Sequence, residues 1–180
     1  MPRPRERILS TAMVLFHRQG YNNTGINQVI DEAKVSKASF YQHFRSKDEL
    51  CIEFLNKRYD YWASELEQFT SEAKTVQEKT LKSFDFLIDM NEREDFRGCS
   101  FLNILSEIPA DKEEIHKVIR HHKSKLRECF NEDIQNDIAA AHIYLLFESS
   151  ILTSQLYRSN ELIEKSKIIV QEILNLHIKQ

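Results

Sequence analysis

Almost nothing in this chain can interrupt a helix. Its glycines are Gly20, Gly25 and Gly98 and its prolines Pro2, Pro4 and Pro109, so residues 26–97 and 110–180 contain neither. Those stretches are rich in Glu, Lys, Leu and Ile, which lose little rotamer freedom in a helix. The scarcity predicts an all-α fold. With 180 residues, 41% of them apolar, the chain can bury a sizeable core in one or two domains. No apolar run approaches the ~18 residues of a membrane span, and no signal-type apolar region opens the sequence. A soluble, cytoplasmic protein without membrane contact is expected. The three cysteines, Cys51, Cys99 and Cys129, are scattered and fit reduced thiols.

The sharpest local signal lies between Gly20 and Leu50. Ile8, Ala12, Leu15 and Phe16 form one helix face that ends at Gly20. Thr24 is placed to cap a second helix bearing Ile26, Val29, Ile30 and Ala33, which breaks at Lys34 and Val35. Ser36 is placed to cap a third helix, Lys37 to Phe44, with Phe40 and Phe44 on one side and Lys37, Ser39, Gln42 and His43 on the other. Two short helices joined by a tight turn, the second with a donor and acceptor face, suit a DNA major groove. Charge distribution agrees. Residues 1–50 hold eight basic and five acidic side chains, a net of +3, so the remainder carries −6 of the total of −3. Arg3, Arg5 and Arg7 read as a basic arm able to follow the backbone or a minor groove.

The run from Val35 to Leu50, with Gly20, Tyr21 and Thr24 before it, resembles the TetR-type bacterial transcriptional regulators: Tyr41-x-x-Phe44 is followed at the right distance by Ser46-Lys47. The resemblance covers roughly the first 50 residues. It implies a three-helix DNA-binding domain over residues 1–46, followed over 47–180 by a helical domain that dimerises and binds a small effector. It also implies that Asn27, Lys37, Ala38 and Ser39 touch bases and that Thr24, Tyr41, His43 and Lys47 touch phosphates. Ser36 and Gln42 complete the candidate DNA face. Lys34 stands where the family often has Gly; because an L-residue at positive φ costs on the order of 1 kcal/mol, a wider turn is expected here. Ile30 stands where a small residue is usual at the helix crossing.

Past Lys47, an uninterrupted helical pattern carries Leu50, Phe54 and Tyr61 on one line and Cys51, Leu55, Trp62, Leu66 and Phe69 on the next. It is the candidate link between the DNA-reading pair and the rest. Further segments carry Phe84, Leu87, Ile88 and Met90, then Gly98-Cys99-Ser100-Phe101-Leu102-Asn103, whose Gly-Cys-x-Phe-x-Asn pattern is similar to one TetR subgroup. Asp111 is placed to cap a helix whose apolar stripe His122 interrupts. The last two helices, about 135–157 and 161–176, are apolar over more than one face, beyond the needs of a single core. Pairing them with a second copy would bury the surplus, as in the family's homodimers.

Candidates for an effector pocket are Phe54, Tyr61, Phe84, Met90, Cys99, Phe101, His122, Tyr144 and Glu148. His122 reads first as a satisfied core histidine and only then as a polar anchor for an effector, and Cys99, near a helix start and Arg97, reads first as a packed or pocket-lining thiol and only then as a redox sensor. His116, His121, His122 and His142 lack a ligand spacing, so neither metal nor cofactor is expected. Without a phosphate loop, a paired-carboxylate motif or a nucleophile elbow, an enzyme is not expected. The sequence thus points to a homodimeric repressor that leaves its palindromic double-stranded operator when an unknown small effector binds. A DNA-binding dimer without an effector, or redox sensing through Cys99, is the alternative.

Overall fold

The computed structural model describes residues 2–177, and its regular structure there is entirely helical: α1 Pro4–Gln19, α2 Ile26–Ala33, α3 Lys37–His43, α4 Lys47–Thr70, α5 Val76–Arg93, α6 Ser100–Glu107, α7 Glu113–Ile134, α8 Asp137–Tyr157 and α9 Glu161–His177. None of these helices is long and apolar enough to cross a membrane. Packing divides the chain into two compact units. The first holds the residues up to Tyr61 together with Ser100–His121; the second holds Trp62–Cys99 and the residues from His122 onward. The division falls within α4 and α7, because the first half of α4 and all of α6 pack with the N-terminal helices.

In the first unit, α1 buries Ile8, Leu9, Ala12, Leu15 and Phe16. The Phe16 ring stacks on Tyr21 and lies 5.4 Å from Phe54, which joins the linking helix to this core. Proline at its first position starts α1 at Pro4. Arg5 and Arg7 are consequently helical, not part of an extended arm. Arg5 bonds Glu53 at 2.9 Å and lies over the Phe44 ring. At the other end of α1, Gly20 adopts a φ of 85°, and a Cβ there would overlap the Glu107 carboxylate.

Two expected caps differ. Gly25, not Thr24, precedes α2, and Thr24 is buried at 1% exposure with its hydroxyl donating to the Gly20 carbonyl at 2.7 Å. Likewise α7 begins at Glu113, so Lys112 and not Asp111 precedes its first turn. The expected wider turn after α2 is also absent. Lys34 takes the left-handed conformation, φ 53°, and its N–H reaches the Asp31 carbonyl while that of Val35 reaches Ile30, the Schellman closure that Gly usually supplies. The turn stays tight at the cost of strain in Lys34. Lys34→Gly is therefore expected to stabilise the protein by about 0.5–1 kcal/mol, the left-handed penalty less the extra chain entropy of Gly. Denaturant titration checks this; a lowered midpoint would show that the lysine side chain contributes more than its backbone costs.

In the second unit, Thr75 and Asn136 cap α5 and α8 through the N–H groups of Glu78 and Ala139. The core gathers Phe84, Leu87, Phe130, Ile143, Phe147, Ile163, Val170 and Leu174. The apolar residues of α8 and α9 divide into an inner and an outer line, with Tyr144, Leu146, Ile151 and Ile173 half-buried between them. Ile143, Phe147, Ile163, Val170 and Leu174 face inward, while Ile138, Leu145, Leu152, Leu162, Ile169 and Leu176 are exposed at seven-residue intervals along each helix.

Candidate functional site

The helix-turn-helix is built by burial on one side and capping at the start. Phe40, at 0% exposure, and Phe44 anchor α3 to the first core, and the Ser36 hydroxyl accepts the Ser39 N–H at 3.1 Å. The remaining face of α3 must then point outward. Lys37, Ala38, Tyr41 and Gln42 are exposed, as are Ser36 at the cap and Asn27 on α2, while Ser39 and His43 are partly exposed. All of these lie in one unit, and all but Ala38, whose methyl group can only make apolar contact with a base, bear amide, hydroxyl, ammonium or imidazole groups of the kinds that meet phosphate oxygens and base edges. Thr24 is the exception. Its burial leaves no side-chain surface for a phosphate, and its N–H is already used by the Tyr21 carbonyl.

Lys47 opens α4, whose start is held by Ser46, the hydroxyl acceptor for the Glu49 N–H. The Lys47 ammonium rests 4.1 Å from the centre of the Tyr21 ring. Partial burial pushes its pKa below that of an ordinary lysine, while nearby Asp48 and Glu107 oppose the shift. Tyr21 in turn donates its hydroxyl to Asp48, and Lys112 donates to the other Asp48 oxygen at 2.7 Å. Burial raises the Asp48 carboxyl, but these two donors overcome it and hold the group below the usual range. Burial and Asp48 together push the Tyr21 phenol up. Across the same unit, Glu107 accepts the Asn22 N–H at 2.6 Å, and His17 and Ser100 share a 2.8 Å hydrogen bond. Sequence reasoning placed Tyr21 and Asp48 in the motif but missed their contact with each other and with Lys112, because bonds between residues 27 and 64 positions apart leave no periodic trace.

The candidate pocket residues divide between the units. Phe54, Tyr61 and Phe101 belong to the first, and Phe84, Met90, Cys99, His122, Tyr144 and Glu148 to the second. Phe54 packs on Phe16, whereas Phe84 packs edge-on against Phe147. Tyr61 is exposed beside Arg58. In the second unit the unexpected feature is polar. Lys123 reaches both oxygens of Glu148, at 2.8 and 2.7 Å, with only 18% and 16% of the two side chains exposed. Burial lowers the Lys123 pKa, but Cys99, Glu148 and Tyr144 together raise it beyond that loss. Cys51, by contrast, is pushed up to about 12 by burial and then by Asp48, which makes it a packing thiol. Among the described residues no group of His, Cys, Asp and Glu is arranged to hold a metal.

Comparison with known proteins adds to this geometry. Residues 8–54 match the family described as bacterial regulatory proteins, tetR family. Over 173 residues the chain is 24% identical to an uncharacterized HTH-type transcriptional regulator in the lacX 3' region of Lactococcus lactis subsp. lactis, covering 90% of this chain and 88% of that one. It is 26% identical over 195 residues to the biofilm operon icaADBC HTH-type negative transcriptional regulator IcaR of Staphylococcus aureus (strain Newman), covering 98% and 100%. Among solved structures, SCO4454, a TetR-family transcriptional regulator from Streptomyces coelicolor, has the same fold, with a TM-score of 0.88 at 22% identity over 98% of this chain and 96% of that one.

Proposed function

We propose, from the premise that this chain is a transcriptional regulator of the TetR family, that it is a homodimeric repressor released from a palindromic operator by a small effector. The carrying observation is α3 itself: capped by Ser36, pinned by Phe40 and Phe44, and outwardly polar through Lys37, Tyr41 and Gln42. In the complex, α3 enters the major groove. Asn27, Lys37, Ala38 and Ser39 meet base edges, and Tyr41, His43 and Lys47 meet phosphates. The negative regulator IcaR supports repression as the sign. The exposed apolar lines of α8 and α9 support dimerisation, since a surface of that character is rarely left to water.

Effector binding falls to the second unit, which holds both the sheltered Lys123–Glu148 pair and the aromatic core. An ion pair shielded from water gains specificity at the expense of stability, and a ligand able to replace either partner would recover that loss. An effect of 1–3 kcal/mol on operator affinity is typical of such coupling.

The test at the DNA end is Lys47→Ala. Removing one phosphate contact is expected to weaken binding about fivefold to tenfold on every sequence and to lower the salt slope by about one. Fluorescence anisotropy on duplexes at several salt concentrations reads both quantities. An unchanged slope removes Lys47 from the interface.

A further inference from the structure

We propose that Lys112 is a positioning residue for DNA binding: by occupying the Asp48 carboxylate, it leaves the Lys47 ammonium on the Tyr21 ring, open to a phosphate. This rests on the DNA-binding function above. All four residues belong to the first unit, although Lys112 lies just before α7.

The charges around Lys47 are those of Asp48, Glu107 and Lys112. Asp48 follows Lys47 directly at the start of α4. An adjacent carboxylate is the obvious competitor for a lysine that must offer its charge to DNA. Here both Asp48 oxygens are already engaged, one by the Tyr21 hydroxyl and the other by the Lys112 ammonium at 2.7 Å. Lys47 therefore settles on the face of Tyr21, at 4.1 Å, and that ring is itself stacked on Phe16 and buried. A ring face attracts an ammonium without consuming its charge or its N–H donors. Without Lys112, two carboxylates, Asp48 and Glu107, would face one ammonium, and their field would oppose an approaching phosphate.

Direct contact of Lys112 with DNA is the competing explanation, and a double-mutant cycle separates the two. The probe is a mixed-sequence duplex of about 40 base pairs at about 50 mM salt, titrated with the purified 180-residue protein. Lys112→Met is expected to weaken binding about fivefold in the wild-type background and by less than about 1.5-fold in an Asp48→Asn background, where no carboxylate charge needs holding. Lys112→Arg, which keeps the charge and the donor, is expected to stay within about twofold of wild type. An equal loss from Lys112→Met in both backgrounds overturns the assignment and makes Lys112 a phosphate contact. Should Lys112→Met fail to fold, Lys112→Gln enters the same cycle; it can still donate to Asp48 but carries no charge. The wild type itself is the control for the underlying function: failure to bind this duplex refutes DNA binding, whereas wild-type binding with an uncoupled cycle refutes only the role of Lys112.

Discussion

Glutamate at both Leu152 and Ile169 is expected to turn the protein into a monomer and to cost it roughly 10²- to 10⁴-fold in affinity for a two-half-site operator, the gain that linked binding supplies. Leu145, Leu152 and Ile169 are 62%, 57% and 45% exposed, on helices whose opposite faces are packed into the core. Covering an exposed Leu or Ile contributes about 1.5–3 kcal/mol. An isologous contact repeats every substitution on the partner, so two changes per chain place four carboxylates in one apolar seam. Because the substituted positions already face water in the single chain, helicity and the melting of the isolated chain should hold. Sedimentation velocity reads the mass, and anisotropy on one-half-site and two-half-site duplexes reads the affinity. Half-site binding should survive. A double variant that still sediments as a dimer would put the interface elsewhere.

That stripe was legible in part from the sequence, which shows two apolar lines on each of the last helices but not which line the monomer consumes. The inward line became identifiable only through its partners, with Ile143 and Phe147 meeting the same core as Phe84 and Phe130. The helix-turn-helix was more fully legible because its determinants are local: a Ser36 cap three residues from its donor, and two phenylalanines one turn apart. Thr24 shows where local reasoning stops. A threonine ahead of a helix can cap it or bond backward to a carbonyl four residues earlier, and the buried Thr24 does the second, donating to Gly20. Lys34 is the converse case, a residue with a conformational preference overruled by the neighbours on both sides. Periodicity placed Phe54 and Phe84 on apolar faces but could not assign their cores. Nor could it foresee Lys123 reaching Glu148, since a lysine within a helical pattern reads as a solvated one.

Phe147→Ala is the change expected to cost the second unit most, about 3–5 kcal/mol. Phe147 is fully buried, and Phe84, Phe130 and Trp62 meet it edge-on at centroid distances of 5.3, 5.4 and 6.2 Å. Three aromatic neighbours cannot collapse onto a methyl group, so the cavity stays open and the loss should fall in the upper part of that range. Trp62, the single tryptophan of the chain, lies in the same cluster, so its fluorescence reports this unit directly under denaturant. Measured at fixed protein concentration, because association adds to apparent stability, its midpoint should drop steeply while Lys47→Ala leaves it in place. A loss under about 1 kcal/mol would mean that the aromatic cluster is not packed as described. The outcome bears on regulation as well as stability. α8 holds Phe147 inward, Glu148 in its ion pair and Leu145 and Leu152 outward. A core strong enough to fix the rotation of that helix is what would let the proposed effector, bound at Glu148, alter the geometry of the proposed dimer and not merely loosen one side chain.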